Sequence, residues 1–299
     1  MITILSGGTG TPKLIQGIKK IYDQSKIKVI VNTLENNYFS GAYVAADIDT
    51  VMYTFADLIN EKRWYGIKDD TFITNAELDK LNTPELLRIG DKDRALKIGK
   101  TQLLKNHSLA KAVDIQRKNL NIKAKIIPMS NEKSQMKIIT NIGELEFHQF
   151  LISEKSEPVV EDVIFSNVKP ADEVIPAIEE SYMVIIGPSN PITSILPIIS
   201  MKDVEKTLQN AYVVAVSPII GSNPVSGPAG KFMNALGYEV SSYGVASIYS
   251  NFLNKFIIDN MDVKLKEKIE KIVEDVEVTN TKMTTTNTKK ELAKLILKK

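Results

Sequence analysis

Three carboxylates, Glu35, Asp47 and Asp49, follow a glycine-rich turn that runs Gly7-Gly8-Thr9-Gly10-Thr11. Gly7, Gly8 and Gly10 let a backbone turn tightly and come close to a ligand, while Thr9 and Thr11 add hydroxyl and amide donors, a set suited to phosphate. Glu35 and Asp49 beside such a cradle would repel an anion unless a divalent cation bridged them, and Mg2+ typically takes one or two carboxylates plus phosphate oxygens. Asp47, at a helix start, reads on its own as a cap, stabilising by roughly 0.3–1 kcal/mol through the helix dipole. A glycine turn that serves only strand-helix packing is the competing reading of the loop.

Two further stretches carry small polar residues at strand ends. "GPSNPITS" sets Ser189 and Asn190 just before Pro191, and "SPIIGSNPVSGPAGK" offers Ser217, Gly221, Ser226, Gly227, Gly230 and Lys231. With the first turn they would line a groove long enough for a nucleotide, unless all of them are structural. Neither common phosphate fingerprint is complete. Lys13 follows Pro12 where a P-loop needs glycine, and Gly8-Thr9-Gly10 lacks the last glycine of a dinucleotide loop, so an ATPase and an NAD enzyme are both poorly supported. Trp64, with Tyr65, offers a ring to stack on an aromatic ligand or to pack at a junction. Arg88 with Asp91, Asp93 and Arg94 reads as a surface ionic set. His107 and His148 are too dispersed for a metal site and read as non-catalytic.

These residues need elements to hold them. Ile2 to Leu5 reads as a strand, Pro12 as the first turn of a helix to about Tyr22, and Ile27 to Val31 as a second strand, the βαβ signature of a parallel sheet. From Asp47 to Leu81 the pattern is helical, with Ile48, Val51, Met52, Phe55 and Leu58 on one face. Helices are expected over Arg94 to Lys105 and Ser108 to Asn119. "AKIIPM" reads as a strand, and Asn141-Ile142-Gly143 turns a hairpin. Strand and helix then alternate through "YMVIIG", Pro191, "AYVVAVS" and "GPAGKFMNAL", and a short amphipathic helix closes the chain. The expectation is one α/β unit over residues 1–299, a doubly wound, mostly parallel, Rossmann-like sheet with a helical and β-hairpin insertion over about 60–160.

Composition excludes much else. The chain has 299 residues, no cysteine and a net charge of +2, so thiolate chemistry is absent and no general field recommends nucleic acid or an anionic membrane. Mean hydropathy is -0.09, and no window has the apolar length of a membrane span. The first apolar run lacks a basic leader and reads as a strand rather than a signal peptide. A cytoplasmic location is the default expectation.

The motifs "SGGTGTPKL", "DIDTVMYT", "WYGIKDDTF", "IGDKDRA", "IIGPSNPITSI" and "VVAVSPIIGSNPVSGPAGK" resemble, in order and along essentially the whole chain, the archaeal phospholactate transferases of deazaflavin-coenzyme biosynthesis. The resemblance implies transfer of a phospholactyl or phosphoenolpyruvyl group from a lactyl- or enolpyruvyl-diphosphoguanosine to the ribitol hydroxyl of 8-hydroxy-5-deazariboflavin (Fo), with release of GMP. It also implies Mg2+ dependence and a homodimer, and it matches Asp49 and Arg88 to positions that contact Fo. Asp49 would then align or deprotonate the attacking hydroxyl. The sequence departs from the family pattern at Asn36, where an acid is common, at Ala46 for proline, and at Lys97 for histidine. A non-catalytic nucleotide-sugar-binding regulator of similar opening sequence is the alternative.

Overall fold

The computed structural model describes residues 1–225 and 227–298. Seven parallel strands form the central sheet: β1 (Ile2–Ser6), β2 (Ile27–Val31), β3 (Lys125–Pro128), β4 (Met183–Ile186), β5 (Val213–Val216), β6 (Lys255–Asp259) and β7 (Asp275–Thr279), in the order β7-β6-β5-β4-β1-β2-β3. Chain order runs outward from β1 to β3, then returns to β4 on the other side of β1. The strand order therefore reverses between β1 and β4, and in such sheets a crevice opens there beyond the carboxyl ends of the strands.

The strands are apolar throughout because both faces of the sheet are covered. Alternation still sorts their residues. Ile2, Ile4, Val29, Val31 and Ile185 enter one core, with α1 (Gly10–Ile18), α2 (Ala46–Phe55), α4 (Leu109–Asn119) and the C-terminal helix α5 (Thr286–Leu297). Leu5, Ile30, Val184 and Ile186 enter the other, which a three-stranded antiparallel sheet (Met136–Thr140, Gly143–Glu146, Val160–Phe165) and later helices complete. Between α2 and α4 lie a short helix, Ile73–Lys80, and α3 (Asp91–Leu103).

Several expectations are corrected in detail. The helical stretch from Asp47 stops at Phe55, because Asp57 takes a left-handed conformation (φ 57°) that ends the helix and starts a loop. The insertion expected over about 60–160 is split: β3 lies inside that interval but joins the central sheet, pairing with β2 from Lys28↔Lys125 to Val31↔Pro128, and α4 packs in the core against it. β6 and β7, which the sequence reading passes over, extend the sheet beyond β5.

Candidate functional site

The switch point between β1 and β4 is tied by one hydroxyl. Ser189 Oγ, buried, accepts the N–H of Gly7 at 3.1 Å and of Thr11 at 3.4 Å, and lies 2.7 Å from Thr11 Oγ1. With its acceptor capacity used by the amides, the serine proton goes to the threonine. Gly10 lets the two loops touch, since a side chain there would strike the Pro188 carbonyl. Ser194 fills the space at Gly7 in the same way. Asn190 caps the turn Pro191–Ile195, its Oδ1 accepting the N–H groups of Ile192 at 3.0 Å and Thr193 at 3.2 Å. Gly7, Thr11 and Ser189 thus build the loop, whereas Gly8 and Thr9 face the open groove. Thr9 precedes α1 without capping it; the Thr11 amide goes to Ser189 and Pro12 has none, so Gly10 carries the amide that this helix start turns to a ligand.

Two connected hollows meet at this point. The larger, about 430 Å3, is lined among others by Asp49, Tyr53, Trp64, Arg88, Lys97 and His148. The smaller, about 140 Å3, is lined by Gly10, Ser189, Asn190, Thr193, Gly227 and Pro228. Gly8, Thr9, Glu35, Asp47, Phe147 and Leu151 border both. Ser217 and Gly221 lie outside them: the Ser217 hydroxyl closes a turn with Ile219, and the Gly221 N–H donates to Asp262 Oδ1 at 3.0 Å. Lys231 donates to the backbone carbonyls of Ser156, Glu157 and Pro158, and Ser226 is outside the described residues.

At the junction the paired carboxylates are Glu35 and Asp47. Asp47 Oδ2 accepts from Asn32 Nδ2 at 3.1 Å, and Asp47 packs against Gly8, where any side chain would displace it. Burial pushes the Asp47 carboxyl up to about 7, and burial together with the Asp47 charge raises that of Glu35. Two hard-oxygen ligands that cannot comfortably both ionise are a fit for a divalent cation, which supplies the missing charge. No cluster of three or more acidic, histidine or cysteine ligands occurs among the described residues, so water or substrate oxygens would complete such a shell.

Asp49, expected to share a cation with Glu35, is instead gripped from α3. Lys100 Nζ ion-pairs with its Oδ1, and Lys97 Nζ lies 3.3 Å from Oδ2. Lys97 also pairs with Asp93, whose Oδ1 accepts the Tyr53 hydroxyl at 2.6 Å. Against the upward push of burial, the two lysines hold the Asp49 carboxyl below its ordinary value. Burial lowers the Lys100 ammonium, while for Lys97 burial is outweighed by Asp49 and Asp93, which raise it. Sequence reasoning missed Lys100 and named Lys97 only as a departure from the family's histidine, although their spacing of three on one helix was a readable sign of a shared face.

The remaining candidates sit around the larger hollow. Arg88 is exposed at its mouth, with the guanidinium 4.2 Å above the Phe72 ring. Of its neighbours, Arg94 forks onto Glu85 at 2.9 and 2.5 Å, and Asp91 accepts from Thr71 and Ile73, so the expected surface set is an ordered framework. Trp64 is half-buried on the wall. His148 stacks edge-on against Phe39 and Phe147, and burial lowers it to about 4, which keeps it neutral.

The chain matches the family described as 2-phospho-L-lactate transferase CofD over residues 2–297. It is 55% identical over 297 residues to a 2-phospho-L-lactate transferase of Methanothermobacter thermautotrophicus, covering 99% of this chain and 97% of the relative. A second, from Methanocaldococcus jannaschii, is 48% identical with the same coverage. Among solved structures, a member of the upf0052 family from Bacillus halodurans superposes with a TM-score of 0.68 over 99% of this chain and 98% of that one, at 16% identity, and so shares the fold. Full-length identity of this order, together with the family match from strand β1 to the end of helix α5, establishes that the chain belongs to the 2-phospho-L-lactate transferase CofD family.

Proposed function

We propose that this 2-phospho-L-lactate transferase moves the phospholactyl (or phosphoenolpyruvyl) group of a guanosine-diphosphate-activated donor to the terminal ribitol hydroxyl of Fo and releases GMP. The observation that carries the reading is the two-part groove whose halves meet at Gly8, Thr9, Glu35 and Asp47. The smaller hollow, with the uncapped start of α1 and the Asn190 turn, suits a diphosphate. The larger, with Trp64 and Arg88 on its wall, suits a flat ring system carrying a polar chain.

In the reaction the ribitol oxygen bonds to the phosphorus that bears the lactyl group, and the bond from that phosphorus to the oxygen bridging to GMP breaks. The leaving GMP keeps the bond electrons, and the hydroxyl proton passes to a base or water. Glu35 and Asp47 would hold Mg2+, which would neutralise charge on the diphosphate as it separates. The Gly10 amide at the start of α1 binds a diphosphate oxygen, acting on charge already in place. Asp49, kept ionised by Lys97 and Lys100, accepts a hydrogen bond from the attacking hydroxyl and orients it. Arg88 and Trp64 hold the acceptor.

The test is mass spectrometry of the protein incubated with Fo, Mg2+ and the lactyl donor, with a magnesium-free control. Phospholactylated Fo appearing with GMP only when Mg2+ is present is the expected result. Absence of both product and Fo binding would overturn the reading.

A further inference from the structure

Trp64 is the only tryptophan in the sequence, and it stands in an unusual place. Its backbone is left-handed, with φ 59°, in a loop closed by the bridge between Ile59 and Ile67. The indole lines the larger hollow. Two ammonium groups approach the ring: Lys289 Nζ is 4.7 Å from its centroid and Lys13 Nζ is 5.4 Å away.

Those lysines come from α5 and α1. The two helices touch where Gly17 has no side chain and the Lys289 backbone takes the space. Lys289 is buried; it donates to Gln16 Oε1 at 2.5 Å and lies 3.4 Å from Glu61 Oε2, while Gln16 Nε2 donates to Glu61 Oε1 at 2.7 Å. Glu61 is a weak counter-ion, since its side chain is 56% exposed. Burial and the charge of Lys289 lower the Lys13 ammonium, so the two cations lie close to each other beside the same ring. A buried ammonium with so little anionic compensation is destabilising, and a methionine would fill the same channel without that penalty. The ring is the feature that uses the charge: a cation over an indole is attracted by the negative face of its quadrupole.

We propose that Lys289, carried by the C-terminal helix, is a positioning residue that seats the Trp64 indole as a stacking plate for the flat aromatic system of the acceptor. The inference rests on the acceptor reading above. It makes α5, distant in sequence from every motif of the site, a working part of the acceptor pocket.

The test uses the full chain with Lys289→Met and Lys289→Arg, reading Trp64 emission, Fo titrations and steady-state kinetics. In the unaltered protein Fo should quench Trp64 emission on binding. Lys289→Met should raise the KM for Fo about tenfold, as loss of a cation-ring contact and of the ring's seating implies. It should leave kcat and the donor KM within about twofold and move Trp64 emission to the red, and Lys289→Arg should restore both emission and KM. Should Lys289→Met melt early, Lys13→Met, at a half-buried site, must give the same emission shift and weaker Fo quenching. An unchanged Fo KM with unaltered emission in a folded Lys289→Met protein overturns the proposal. So does a loss confined to kcat. If the unaltered protein neither binds nor converts Fo, the functional reading fails, and emission of the free variants still decides whether Lys289 seats the ring.

Discussion

Replacing Asp49 by asparagine separates a structural loss from a chemical one. Asp49, Asp93, Lys97 and Lys100 are each less than 10% exposed and form a set with no net charge. Asp49→Asn leaves two ammonium groups facing one carboxylate, and breaking a buried pair from one side costs about 3–5 kcal/mol. At a few degrees per kcal/mol, the melting temperature should fall on the order of 10 °C. Lys100, whose ammonium burial already weakens, can relieve the imbalance by losing its proton, so the destabilisation should shrink as pH rises. The double variant Asp49→Asn/Lys100→Met removes one charge of each sign and should recover most of the lost melting temperature. Turnover, followed as GMP release, should stay low in both variants, because the acceptor hydroxyl has lost an ionised partner. The reasoning fails on either of two results: the single variant melting like the unaltered protein, which would deny the charge balance, or the double variant recovering turnover with stability, which would make Asp49 only scaffolding.

The carboxylates at the groove junction predict a pH dependence of the opposite kind. Glu35 and Asp47 bind protons more tightly folded than unfolded, so their contribution is full below the ordinary carboxylate value of about 4 and is lost as pH rises through the raised values, about 7 for Asp47. Melting scans of metal-free protein should therefore show stability falling from about pH 5 to about pH 7.5, with Mg2+ flattening the slope and Asp47→Asn removing most of it; an identical slope in that variant would refute the pairing. Ser189→Ala should cost about 1–3 kcal/mol, because the buried Gly7 and Thr11 amides lose their acceptor, and should weaken GMP binding by loosening the loop between β1 and α1. GMP affinity and melting both unchanged by calorimetry would show that this hydroxyl does not tie the loops.

The first βαβ unit was readable because each of its signals is local: the β-branched strands, the glycine turn, and proline in the first turn of α1 lie side by side in the chain. The end of α2 was not. Its apolar stripe continues to Leu58, and only the left-handed turn at Asp57, a backbone state any aspartate can decline, breaks it. Long-range partners were invisible because their signals are not local. Lys100 reaches Asp49 across 51 positions, and Ser189 reaches Gly7 across 182. No short window of sequence holds both members of either pair.

The choice between Asp47 and Asp49 as the partner of Glu35 shows what had to be seen in three dimensions. Both stand in the first turn of α2, two positions apart, and at about 100° per residue their side chains leave the helix roughly 200° apart. The helix therefore turns the two acids to different neighbours, although both border the larger hollow. Its apolar stripe, Ile48, Val51, Met52 and Phe55, turns toward the core and leaves one acid on each flank. Which flank meets the glycine loop depends on what packs on the other. There α3 brings Lys97 and Lys100, which neutralise Asp49, while on the near side Gly8, without a side chain, leaves room only for Asp47. The glycine that reads as a phosphate cradle in sequence thus has a packing use, because its missing side chain admits Asp47, the carboxylate that a cation between loop and helix would need.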